Sequence, residues 1–185
     1  MRIVAGTWRG RTLRAPPGNT TRPTADRVRQ AVFDMLLHAP WGGDAVASAH
    51  VLDVFAGTGA FGLEALSRGA THATFVEQDR AALTALRANI AACRAQDRCT
   101  ILAVDASAIP AGQPASLVFL DPPYHQDLVP RAVARLRAVQ RLAPDTFLIA
   151  ETARDEPVPT TNALAERSHG AARITIWRET FDLKQ

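Results

Sequence analysis

Two cysteines in 185 residues, Cys93 and Cys99, cannot build a disulfide framework and are too few for a thiolate zinc site. The five histidines show no metal-ligand spacing, so no metal is expected. No apolar run approaches the roughly 20 residues that cross a bilayer, and the first residues lack the apolar stretch of a secretory signal. The expected setting is a reducing cytoplasm with no membrane partner. Internal repeats are absent, which excludes a solenoid or collagen. Tyrosine occurs once, as Tyr124, and lysine once, as Lys184, against twenty arginines. What is present is 47% hydrophobic, enough for a core, at a length that suits one domain.

The net charge of +3 is unevenly spread. Residues 1–31 hold seven arginines (Arg2, Arg9, Arg11, Arg14, Arg22, Arg27, Arg29) and one acid, Asp26, a net of +6 against −3 for the remainder. Codon usage rich in G and C explains arginine in place of lysine, but not this clustering. Arginine forks grip phosphates in a fixed geometry. A dense basic segment therefore points to a phosphate-rich partner, with Arg2, Arg9, Arg11, Arg14 and Arg22 as the candidate phosphate contacts. Trp8, set among them, can stack on a base or cover the edge of the core.

Arg2–Ala5 and Arg11–Arg14 alternate around Gly6–Gly10 and predict a small hairpin. With the turn-rich connector Pro16–Pro23 they form a basic extension, residues 1–23, ahead of a main domain, residues 24–185. Thr24 can cap a helix over 25–38, with Asp26 in its first turn. Strands are expected at Val51–Phe55, Ala73–Val76, Thr100–Val104, Leu117–Leu120 and Phe147–Ala150. Helices are expected at Phe61–Arg68, Arg80–Arg94 and Asp127–Leu142. Strands alternating with helices mean a mostly parallel, doubly wound α/β sheet. Leu164–Ser168 and Arg173–Phe181, around His169 and Gly170, predict an antiparallel hairpin at one sheet edge.

Gly57, Gly59 and Gly62 spell G-x-G-x-x-G between the first strand and its helix, where the backbone turns tightly and a ligand approaches it. Glu77, 20 residues after Gly57, ends the second strand and can accept bonds from ribose hydroxyls. A nucleoside-type cofactor follows; the glycines alone do not say which. Asp53, four residues before Gly57, suits a ligand ammonium better than a pyrophosphate. Asp105, after the third strand, can take an adenine amine or simply cap a turn. Phe55, Ala56, Thr58, Gln78 and Ala106 flank these positions and complete the expected cofactor site.

The fourth strand runs into Asp121-Pro122-Pro123-Tyr124, and ligands in open α/β sheets sit at strand carboxyl ends. The prolines fix the backbone and remove competing N–H groups. Asp121 and the Pro122 carbonyl offer acceptors, and Tyr124 a flat ring, which together suit an exocyclic amine on a planar base. Such an amine is a poor nucleophile because its lone pair is delocalised. Two acceptors would orient it and stabilise the positive charge that grows as it is alkylated.

These residues resemble class I S-adenosylmethionine-dependent methyltransferases with a D/N-P-P-Y/F motif. Arg2-Ile3-Val4-Ala5-Gly6, Gly10-Arg11, the Arg22-Pro23-Thr24-x-Asp26-Arg27-Val28-Arg29 segment, Asp53-x-Phe55-Ala56-Gly57-Thr58-Gly59 and the proline motif occur in this order in the RsmD family. Those are bacterial small-subunit ribosomal RNA guanine-N2 methyltransferases. The resemblance runs to about Glu151. It implies a Rossmann-like seven-stranded sheet, S-adenosyl-L-methionine as cofactor, and a guanine N2 of small-subunit RNA, free or in an assembling subunit, as target. It also implies a monomer. The motif selects an amine without choosing guanine.

Three rivals share parts of this pattern. A nicotinamide-dependent oxidoreductase explains the glycines and Glu77 but leaves Asp121–Tyr124 without a task. A DNA adenine-N6 methyltransferase usually carries a recognition domain for which this chain has little room. A non-catalytic RNA-binding assembly factor has no need of the full set of acids. Cytosine-C5 chemistry needs a cysteine near the base, and Cys93 and Cys99 lie elsewhere.

Overall fold

The computed structural model describes residues 1–16, 23–160 and 162–180. Seven strands form one sheet: β1 His50–Val54, β2 His72–Val76, β3 Cys99–Leu102, β4 Ala115–Leu120, β5 Leu142–Ala153, β6 Ala163–His169 and β7 Ala172–Glu179. The helices are α1 Pro23–His38, α2 Ala60–Ser67, α3 Arg80–Cys93 and α4 Leu128–Ala138. The sheet order is β3-β2-β1-β4-β5-β7-β6. The first five strands are parallel, while β7 runs antiparallel to both β5 and β6. The chain reverses direction in the sheet between β1 and β4, which places a crevice at their carboxyl ends.

Strand alternation divides the core into two faces. Val51, Phe75, Phe119 and Ile149 pack under α1, α2 and α3 with Phe33, Leu63 and Leu86. Leu52, Val76, Leu120 and Leu148 pack on the other face under Val129, Val133 and Leu136 of α4. β1, β2 and β4 are buried on both faces, which explains their nearly continuous apolar runs, while the edge strand β3 is only partly covered.

Several boundaries differ from the sequence expectation. The helix expected over Asp127–Leu142 ends at Ala138, where Gln140 takes a left-handed φ of 55°. Leu136, Val139 and Leu142 keep helical spacing, but Leu142 opens β5, so a strand continued the helical pattern by coincidence. That strand is also longer than Phe147–Ala150. α1 begins at Pro23, which puts Thr24 inside the first turn; proline suits that position because its missing N–H has no partner there in any helix. The C-terminal hairpin forms as expected, with β7 inserted between β5 and β6. Phe181 and Lys184 lie outside the described residues.

The basic N-terminal hairpin is short: Ile3 N–H donates to the Arg11 carbonyl at 2.9 Å and Leu13 N–H to the Met1 carbonyl at 3.1 Å, on either side of the Arg2–Thr12 bridge. Side chains of the main domain secure this segment as well. Val4 and Ala5 N–H donate to Glu64 at 2.7 and 2.9 Å, and Trp8 N–H donates to Ser67 Oγ at 2.9 Å. Ile3 and Leu13 are buried in the same core as α1 and α2.

Candidate active site

The glycine turn leaves β1 through Phe55, a bulky residue held at φ 65°, a conformation that costs energy and that functional turns retain. Gly57 lies at φ 54°, and a Cβ there would meet nothing nearer than 4.0 Å, so its outer side is open to a ligand. Gly62 serves a different purpose: a Cβ there would lie 2.4 Å from the Phe75 ring, so its absence lets α2 pack on β2. Asp53, on β1, accepts the Gly62 N–H at 2.9 Å. It thereby satisfies a free donor in the first turn of α2, whose N-cap Gly59 has no side chain to do so. Asp53 is 3% exposed, and burial pushes its carboxyl up to about 8, with Asp121 and Glu77 adding to the rise and the Gly62 bond opposing it.

Glu77 lies against the same turn. Its carboxylate accepts N–H bonds from Gly57, Gln78 and Asp79, each at 2.8 Å. Three donors fix it in place beside the open side of Gly57, in reach of a hydroxylated ligand. The residues therefore fit a nucleoside cofactor: a glycine cradle a Cβ would narrow, and a fixed acceptor next to it. Ala56 and Thr58 sit within the turn, and Gln78 is exposed at its rim. Asp105 lies past β3, which stops at Leu102, and its side chain accepts the Ser107 N–H at 2.8 Å to cap a short 3-10 turn. The hydrogen bond to Ser107 also lowers its pKa. Ala106 is buried beneath that turn. The contacts of Asp105 described here are those of a capping residue.

Asp121–Tyr124 follows β4 directly. Asp121 faces a cleft lined by Val32, Phe61, Phe119, Ile149 and Glu151. Asp121 is exposed on its outer side; the protein packed around its carboxyl, then the charge of Glu151, raises it above the usual aspartate range. Pro122 is buried and Pro123 exposed. The Tyr124 hydroxyl donates to Glu151 Oε1 at 2.7 Å. Burial and that bond raise the phenol's pKa, so it stays a donor. Glu151 was not among the residues expected from sequence. Its signal was position: it sits at the carboxyl end of the strand beside β4.

The arginine segment is more divided than its density suggests. Arg2, Arg9, Arg11 and Arg14 are exposed. Arg11 also donates to the Ala92 carbonyl. Arg29 is 2% exposed and committed inward, to Asp26 at 3.0 Å, Glu64 at 3.5 Å and the Arg2 carbonyl. Trp8 is partly buried against the core, with Arg98 stacked 5.0 Å over its ring. Arg22 lies outside the described residues. Asn89 ties this segment to the cofactor turn: its side chain accepts from Arg14 N–H at 2.7 Å and donates to the Arg14 and Thr58 carbonyls.

Strand order, glycine turn and proline motif together define a class I, Rossmann-like methyltransferase. The chain belongs to the family described as Conserved hypothetical protein 95, whose model matches residues 1–178. It is 37% identical over 164 residues to the ribosomal RNA small subunit methyltransferase D of Escherichia coli K12, covering 88% of this chain and 80% of that one. It is similar to the solved structure of the putative methyltransferase yhhF from Escherichia coli, with a TM-score of 0.84, 34% identity, and coverage of 97% and 98%. The fold alone is shared, at 20% identity and a TM-score of 0.65, with the Thermus thermophilus 16S rRNA N2 G1207 methyltransferase RsmC in complex with AdoMet and guanosine; that likeness covers 88% of this chain and 44% of that one.

Proposed function

We propose that this protein transfers a methyl group from S-adenosyl-L-methionine to the N2 amine of one guanine in small-subunit ribosomal RNA, in the cytoplasm. The observation that carries this is the placement of Asp121 and Tyr124 at the carboxyl end of β4, directly beside the strand that leads into the glycine turn. The cofactor supplies an electrophilic methyl group on a sulfonium that brings its own leaving group. Asp53 lends negative charge beneath the turn for the methionine ammonium, Glu77 accepts from the ribose, and Asp105 with Ala106 borders the adenine. Asp121 and the Pro122 carbonyl hold the two amine hydrogens, which aims the nitrogen at the methyl carbon and stabilises its developing charge. Asp121 then takes the departing proton, a role suited to a carboxyl held above its usual range. The Tyr124 ring stacks on the base.

Arg2, Arg9, Arg11, Arg14 and Arg22 would bind RNA phosphates from the N-terminal segment, on free RNA or on an assembling subunit. Among the described residues no helix is long and apolar enough to cross a membrane. The test is Asp121→Ala. Tritium transfer to small-subunit RNA should fall by a factor of at least about 100, while calorimetric affinity for S-adenosylmethionine changes little. Undiminished turnover, or label recovered as N6-methyladenosine, would overturn the assignment.

A further inference from the structure

We propose that Glu151 makes the enzyme choose guanine, by accepting the N1–H that lies beside the amine being methylated; this rests on the guanine-N2 reading above. Leu120 of β4 pairs with Ala150 of β5 in the parallel ladder. One residue beyond that last pair come Asp121, just past β4, and Glu151, still in β5; continued strand spacing would set their backbones about 4.8 Å apart on the same face of the sheet. Both line one cleft. Glu151 Oε1 is held by the Tyr124 hydroxyl at 2.7 Å, and Oε2 accepts nothing from the described residues. The cleft thus presents two neighbouring carboxylates, one of them tied to the Tyr124 hydroxyl. One carboxylate is fixed in place and keeps an oxygen for a donor.

An exocyclic amine satisfies Asp121 whichever base carries it. The atom next to that amine on the ring decides the rest. In guanine the neighbour is N1–H, a donor, so N1 and N2 offer consecutive donors to consecutive carboxylates. In adenine the neighbour of the amine is N1 with a lone pair, and in cytosine it is N3 with a lone pair. Either would bring an acceptor against an anionic oxygen and leave that oxygen desolvated and unpaired. Sites built this way reject the wrong partner far more strongly than apolar pockets do. Tyr124 cannot relieve the clash, because its one proton is already given to Glu151. Glu151 is therefore the specificity-determining residue that Asp121–Tyr124 lacks.

The decisive probe is 2-aminopurine, which keeps the C2 amine but has a lone pair at N1. The full-length protein is given S-adenosylmethionine and small-subunit RNA in which the guanine found to be methylated is replaced by 2-aminopurine through ligation of a synthetic segment. Wild type should prefer guanine by at least about 100-fold in kcat/KM. In Glu151→Gln the amide can donate to N1 while its oxygen still accepts from Tyr124. Guanine transfer should fall and the preference should narrow at least about tenfold. Tyr124→Phe keeps the Glu151 charge but removes the hydroxyl that fixes it, so guanine transfer should fall while the preference narrows less than in Glu151→Gln. Wild type using 2-aminopurine within about threefold of guanine, or a folded Glu151→Gln with the preference intact, overturns the role while guanine methylation stands. Should Glu151→Gln not fold, the wild-type comparison decides alone. Label from wild type appearing in a nucleoside other than N2-methylguanosine sinks the parent function and this role with it.

Discussion

Asp53 combines near-complete burial with a single N–H donor, and that combination leaves its charge under-compensated in the ligand-free protein. Between the ordinary aspartate value of 3.8 and about 8, the folded chain keeps a proton that the unfolded chain has released. Stability attributable to this group is therefore lost as pH rises through that window. Asp53→Asn keeps an oxygen for the Gly62 N–H and removes the titration. Without ligand, the variant should melt close to wild type at about pH 4 and increasingly above it towards about pH 8. Parallel melting curves at every pH would contradict this. In the presence of S-adenosylmethionine the order should reverse, because the variant has lost the charge proposed to face the ammonium. The glycines and Asp53 were legible in the sequence because their spacing is local. Glu151 was not, because its partners Asp121 and Tyr124 lie 30 and 27 residues away and meet it only when β4 and β5 pair.

At the scale of elements, α2 is both the lid of the glycine turn and the anchor of the N-terminal segment. Glu64, on an otherwise almost wholly apolar helix, has no solvent exposure. It accepts from the Val4 and Ala5 main chain and pairs with Arg29 at 3.5 Å and Arg68 at 2.8 Å, both buried. Removing one member of such a set leaves the other charges buried without a partner. Glu64→Ala should therefore cost about 3–5 kcal/mol in urea unfolding, and Arg29→Ala a comparable amount. A loss below about 1 kcal/mol would show that water replaces the carboxylate. The helix itself was predictable from its apolar residues. Its acid was the one visible sign of a distant partner, and sequence spacing could not say that the partner was the arginine-rich start, some 60 residues away. The same long-range pairing explains why Arg29, counted with the basic cluster, is withdrawn from the surface.

Across the whole molecule, positive charge is concentrated on the N-terminal segment and the rest of the chain is net negative. With Arg29 turned inward, Arg9, Arg11 and Arg14 carry the exposed charge that follows Arg2. Replacing these three by alanine should weaken RNA binding and flatten the salt slope by up to about 0.9 per lost phosphate contact, leaving S-adenosylmethionine affinity near wild type. An unchanged slope would place the RNA elsewhere. The alternation of strands and helices made the α/β class readable in advance, since each unit has its own period. The manner in which residues 1–16 close against α2 and α3 was not, because it depends on the distant side chains of Glu64, Ser67 and Asn89 and not only on the short hairpin's own bonds.

Met1 Sδ accepts the Thr58 hydroxyl at 3.3 Å, and Asn89 joins Arg14 to the same turn. Any purification handle fused ahead of Met1 would consequently emerge beside the glycine turn proposed to take the nucleoside. Enzyme preparations carrying such a handle should show weakened ligand affinity that cleavage restores, so assays of this protein are better built with the handle at the opposite end.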